Sequence, residues 1–201
     1  KSPDGGTTWT TPTKIKNVPP GTASRAPEAI ASDAQNFLDL AADPRGSHQG
    51  HLHLAWNEAY NDGNTRDGTN YSTSTDGGDS WSPKQLIRAG EPGFEVRAKT
   101  ISLAVHEDTR HIAYENSWGR RDIYRARSGN GKDWRNGALT LSYYGIWTIP
   151  DLAVDQHGLA YAAYHGKTYD KPEGEVPTEE YHGIYVTNPR PGEFGPKRSR
   201  V

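Results

Sequence analysis

The chain has 201 residues and a formal net charge of −2; it is 32% hydrophobic yet 10% aromatic, with 22 glycines, 14 prolines and no cysteine. The near-neutral balance argues against an electrostatic footprint for nucleic acid or an anionic membrane, and no apolar run reaches membrane-spanning length. Disulfides and thiolate metal sites are excluded by the missing cysteine.

Taken in chain order, the first element is a tight turn, "SPDGGTTW" at 2–9. A strand is expected after it, from 9 to about 16. "RAPEAIASDAQNF" at 25–37 is the one candidate for a helical turn. Then come three strands, "FLDLAADPRG", "HLHLAWNE" and "TNYSTST", followed by a second turn, "STDGGDSW" at 74–81, and a fourth strand, "WSPKQLIR". The order starts again with "TISLAVHED", "RHIAYEN", "RDIYRARS" and a shortened turn, "SGNGKDW" at 128–134. It starts a third time with "PDLAVDQHG", "LAYAAYHG" and "HGIYVTN", closing on an eroded copy, "TNPRPGEF" at 187–194. Such internal repetition outranks any single motif. The aromatic ends fall at 9, 81, 134 and 194, the spacing of one supersecondary unit with variable loops.

Four short antiparallel strands per unit, with Gly, Asp or Pro between them, predict β-propeller blades. The chain would hold about three and a half of them in a single region, 1–201. Each blade face lies against a neighbour, which accounts for the alternations Leu38, Leu40, Ala42 and Ile101, Leu103, Val105. The first strand of each blade should lie nearest the axis. An incomplete ring leaves two faces in water, so the rest of a propeller, or a second copy, is expected to complete it. Because the chain begins at Lys1 inside a turn motif, a piece of a longer protein is the simpler expectation.

The turns read as scaffold. Ser2, Asp4, Gly6 and Trp9 recur as Ser74, Asp76, Gly78 and Trp81, and in shortened form as Ser128, Asn130, Gly131 and Trp134. The Asp side chain can accept from backbone N–H groups further along the turn, and the glycines supply positive φ. The Trp residues are expected to be largely buried between blades. One carboxylate per turn is too few oxygens for calcium.

Ser-x-Asp-x-Gly-x-x-Trp resembles the Asp-box, or bacterial neuraminidase repeat, and most of the chain resembles the sialidase-like β-propellers. The resemblance implies a propeller fold, an extracellular or cell-surface location, a glycan or glycoconjugate partner, and no cofactor. It also implies two activities to weigh: a carbohydrate-binding module, or part of an exo-sialidase or other glycoside hydrolase. Members of that family hold the substrate carboxylate with three arginines, and this chain shows neither the triad nor the Arg-Ile-Pro motif that precedes the first box. A protein-binding or structural propeller is the third reading.

In each blade the strand 2–3 and strand 4–1 connections share one end of the sheet, and these are long and polar. Long loops on a rigid scaffold mark a binding surface. Glu58 and Glu115 end second strands at that end, where a carboxylate pair could do acid–base work or simply pair with Arg97 and Arg120. Glu95 and Arg97, at the start of the second blade, join Glu58 and Glu115 as the candidate catalytic residues. Trp118, Tyr143, Tyr144, Trp147 and Tyr169 are loop aromatics suited to stacking on sugar rings, or to packing on neighbouring loops. Arg97 and Arg120 are the candidate anion ligands. His51 and His53 share a strand face, but no third metal ligand is evident, so blade packing is expected there and no metal site is assigned.

Overall fold

The computed structural model describes residues 2–12, 38–44, 48–58, 68–89, 100–116, 122–139, 145–169, 180–187 and 199–200. All of its regular structure is β, in three four-stranded antiparallel sheets. The first blade is β1 (Leu38–Ala42), β2 (Leu52–Glu58), β3 (Gly68–Ser74) and β4 (Gln85–Ala89). The second is β5 (Ile101–His106), β6 (Thr109–Asn116), β7 (Asp122–Ser128) and β8 (Arg135–Ala138). The third is β9 (Gly145–Val154), β10 (Ala160–Tyr169), β11 (Glu180–Thr187) and β12 (Ser199–Arg200). Each sheet runs in sequence order, as the expected up-and-down blades require.

Leu40 lies opposite Leu54, Leu103 opposite Ile112, and Leu152 opposite Ala162. These three pairs set a common register across the blades. They align Asp39, Ser102 and Asp151 on the first strands, and the aligned residues tie each blade to the next. The Leu103 N–H donates to Asp39 Oδ2 at 2.7 Å. The Leu152 N–H donates to Ser102 Oγ at 3.0 Å, and Ser102 Oγ–H donates to Asp151 Oδ1 at 3.1 Å. First strands therefore lie side by side, as the expected inner position requires.

Two apolar layers follow from strand alternation. Between the first and second blades lie Ala55, Tyr71 and Ile87 from one side and Ile101, Leu103, Ile112, Tyr114 and Ala126 from the other. Between the second and third lie Ala113, Ile123 and Leu139 against Ala162, Tyr164 and Tyr185. The second blade is thus covered on both faces. The first is not: Leu38 is 63% exposed and Leu40 54%, with Ala42 exposed beside them. This corrects the expectation that the β1 alternation is buried. That face turns away from the second blade, and among the described residues no further sheet covers it. On the third blade Ile184 is exposed in the same way.

The turns at 2–9 and 74–81 have one geometry. Ser74 Oγ–H donates to Asp76 Oδ1 and accepts from the Gly78 N–H, both at 2.7 Å. Asp76 then accepts the Ser80 N–H at 2.9 Å and the Ser80 hydroxyl at 2.5 Å. Ser2, Asp4, Gly6 and Thr8 repeat the pattern. The glycine pairs take matching positive φ, 67° and 100° at Gly5 and Gly6, 67° and 95° at Gly77 and Gly78. At 128–134 Asn130 replaces the carboxylate and accepts from the N–H groups of Lys132 and Asp133.

The Trp expectation holds only in part. Trp134 is half-buried and packs edge-on against Tyr71 of the first blade, ring centroids 5.0 Å apart. Trp81 is also half-buried, but Trp9 is 74% exposed. Its indole N–H donates to the Gly6 carbonyl in its own turn, and no described blade stands where Tyr71 meets Trp134. Residues 9–12 form no strand, and the rest of the expected strand, like the 25–37 segment, lies outside the described residues. Among the described residues no helix is long and apolar enough to cross a membrane.

Candidate functional site

The topology sorts the connections into two ends. At one end, hydrogen bonds within the described turns close strand 1–2 and 3–4 connections. Asp43 and Gly50 close 43–51, and Asp155 caps 155–159 by accepting the His157 and Leu159 N–H groups. Turns of successive blades also meet there: His48 Nδ1 lies 2.5 Å from Asp108, and His106 Nε2 lies 3.2 Å from the Gln156 carbonyl. The 43–51 connection is as long as several on the other end, so internal bonding, rather than length alone, separates the two.

The opposite end carries 59–67, 90–99, 117–121, 140–144 and 170–179. Glu95, Arg97, Trp118, Arg120, Tyr143 and Tyr144 all fall in these segments and lie outside the described residues. The antiparallel order nonetheless brings their flanking strand ends to one end of the sheets. Glu58 ends β2, Trp147 lies near the start of β9 and Tyr169 ends β10.

Glu115 is the candidate carboxylate whose surroundings are described. It is 2% exposed on β6, one residue before the strand ends. Its backbone N–H donates to the Thr100 carbonyl at 3.2 Å, and the Thr100 hydroxyl stands 3.5 Å from Oε2. It is therefore not a solvated charge. Burial of a carboxylate is costly without partners, and Thr100, at the start of β5, is a residue that sequence reasoning missed. No spacing signals it, because the contact depends on the β5–β6 register.

Register also decides which candidates share a face. Glu115 occupies the position of Asn57 on β2, where the Thr69 hydroxyl donates to Asn57 Oδ1 at 2.9 Å. Glu58 occupies the position of Asn116. Glu115 shares its sheet face with Ala113, toward the third blade. On the third blade Trp147 lies opposite Gly166, and Gly166 opposite Gly183. Tyr169 lies opposite Glu180 on β11.

The two blade interfaces also bury histidines. His53 and His111 occupy equivalent positions and are 0% and 1% exposed. His53 Nδ1 meets the Tyr71 hydroxyl at 2.6 Å, and burial, with help from Arg110, lowers the His53 pKa to about 4. The Arg125 guanidinium donates to His111 Nδ1 at 2.7 Å, and burial with Arg125 and Arg127 nearby lowers the His111 pKa to about 3. Both rings are neutral packing groups near neutral pH. His51 instead packs its ring near His48, so His51 and His53 do not converge on one point.

No protein-family model and no curated protein matches the chain. Solved structures do. An α-L-arabinanase of Penicillium chrysogenum complexed with arabinobiose is 15% identical, with a TM-score of 0.60, over 83% of this chain and 50% of its own. An α-L-arabinofuranosidase of Fusarium graminearum complexed with an iminosugar inhibitor is 12% identical, with a TM-score of 0.59, over 84% of this chain and 50% of its own. The same fungus supplies a GH93 α-L-arabinofuranosidase bound to arabinobiose, 13% identical with a TM-score of 0.57. These are β-propeller glycoside hydrolases, and the chain spans about half the length of each. At such identity the likeness establishes the fold: the chain is a run of β-propeller blades.

Proposed function

We propose that the chain is part of a propeller that binds carbohydrate at the end carrying 59–67, 90–99, 117–121, 140–144 and 170–179. One observation carries this reading. Strand order gathers at one end of a packed scaffold the connections that hold the candidate aromatics and arginines, while the described turns at the other end are closed by their own hydrogen bonds. Trp118, Tyr143, Tyr144, Trp147 and Tyr169 supply faces for sugar rings, and Arg97 and Arg120 supply donors for an acidic group. The solved relatives, which are complexed with arabinobiose or an iminosugar, support a sugar rather than a protein ligand. The resemblance to sialidase-like propellers supports an extracellular or cell-surface setting, with sialosides among the sugars to test.

A second reading, part of a glycoside hydrolase, has one specific observation in its favour. Glu115 is a buried carboxylate at the loop end, held beside Thr100. A carboxyl group kept from water is the kind that serves as a general acid, and a second group would have to come from the other candidates, Glu58 and Glu95.

Calorimetric titration with arabino-oligosaccharides and sialosides, beside a glycan array, tests both. Saturable binding that weakens about tenfold in Trp118→Ala or Trp147→Ala is the expected result. No binding to any glycan would leave a structural or protein-binding propeller in its place. Turnover of a fluorogenic arabinoside or sialoside that disappears in Glu115→Gln, with binding retained, would establish the hydrolase.

A further inference from the structure

The second blade turns an unusual row of side chains toward the third. Across its four strands, Ala104, His111, Arg127 and Arg135 lie directly opposite one another. In the adjoining row Ser102, Ala113, Arg125 and Gly137 do the same. Alternation places all of them on the face that carries Ala113 and Ile123 into the second apolar layer. Three guanidiniums and a histidine thus occupy neighbouring positions, and like charges directly opposite across strands are destabilising.

Among the described residues none of the three arginines forms an ion pair. The facing side of the third blade offers Leu152, Val154, Ala160, Ala162, Tyr164 and Tyr185, and its one carboxylate at the junction in the described residues, Asp151, is hydrogen-bonded to Ser102. Two buried donors also stand without a hydrogen-bond partner in the described structure, Arg125 Nε and His111 Nε2. Burial and the neighbouring Arg127 lower the Arg125 pKa to about 10, which leaves it charged at neutral pH. The equivalent wedge between the first and second blades is built differently. There Tyr71 and Thr73 hold the positions of Arg125 and Arg127, and Trp134 fills the space against Tyr71.

We propose that the wedge between the second and third blades is a binding site for an oxyanion (sulfate, phosphate or carboxylate), held by Arg125, Arg127 and Arg135 away from the loop end. Guanidinium forks match such groups in bidentate geometry. The anion supplies the counter-charge that no described residue places on these three guanidiniums.

The test is a thermal-shift titration of the chain with sodium sulfate, sodium phosphate and sodium glucuronate, each against sodium chloride at matched ionic strength. Arg127 and Arg135 are exposed, so Arg127→Gln and Arg135→Gln preserve the fold, which circular dichroism checks. The expected result is a saturable rise in Tm with at least one anion, its half-saturation weakened about tenfold in either variant. The arm that saturates at the lowest concentration separates a tetrahedral anion from a carboxylate. Sulfate and phosphate also stabilise proteins generally by exclusion from the surface. A rise of equal size in wild type and both variants is therefore that general effect and overturns the site. No rise with any of the three anions overturns it equally.

Discussion

Asp4 and Asp76 make the same bonds in turns of the same shape, and both carboxyls are held below the usual carboxylate range, chiefly by bonds from Thr8 and Ser80. Their surroundings differ. Ser74 is 1% exposed and the 74–81 turn joins β3 to β4, whereas the 2–9 turn joins no described strands. Asp76→Ala should therefore lower Tm clearly more than Asp4→Ala, as parallel thermal melts will show. Equal losses would mean that the turn acts locally and not through its hairpin. The histidines set a pH dependence of the opposite chemical type. The folded pKa values of His53 and His111, about 4 and about 3, lie below the ordinary 6.5. Below pH 6.5 the unfolded chain takes up protons that the folded chain refuses, so stability falls as pH drops from 6.5 toward 4. Denaturant midpoints across that range should decline, and His111→Gln should flatten the slope.

Among the elements, the first strands carry the joints. Asp39 accepts the Leu103 N–H from the next blade and the Leu40 N–H from its own. Asp39→Ala leaves an inter-blade N–H without its acceptor, a loss of about 1.5–3 kcal/mol for a bond to a charged group; urea titration measures it. Ser102→Ala, which removes a neutral hydroxyl at the equivalent joint, should cost about 1 kcal/mol. The strands themselves were legible because period-two alternation and Asp-Gly turns recur in a fixed order, and each copy supports the others. Burial of particular strands was not. Leu38 and Leu103 read alike in sequence, yet one is 63% exposed and the other 5%. The difference lies in which sheet stands alongside, and alternation within a strand carries no record of that.

For the molecule as a whole, the end that carries the candidate ligand residues was legible from strand order alone, since antiparallel succession fixes it. Which residues meet there was not. Thr100 joins Glu115 only through the β5–β6 register. The arginine row escaped notice for a related reason: Arg125 and Arg127 show a spacing of two, but Arg135 reaches them only across the β7–β8 pairing.

The coverage of the second blade on both faces has a consequence for cooperativity. Among the described residues the main inter-sheet contacts join successive blades, so the assembly behaves as a short one-dimensional array, with stability summed over units and the junctions between them. The central unit shares two junctions and the flanking ones share one apiece. Local opening should therefore begin at the flanks and reach the middle last. Amide hydrogen exchange should be slowest at Ile112, Tyr114 and Ala126, and faster at Leu40 and Ile184. Uniform protection across the three units would show instead that they unfold as one.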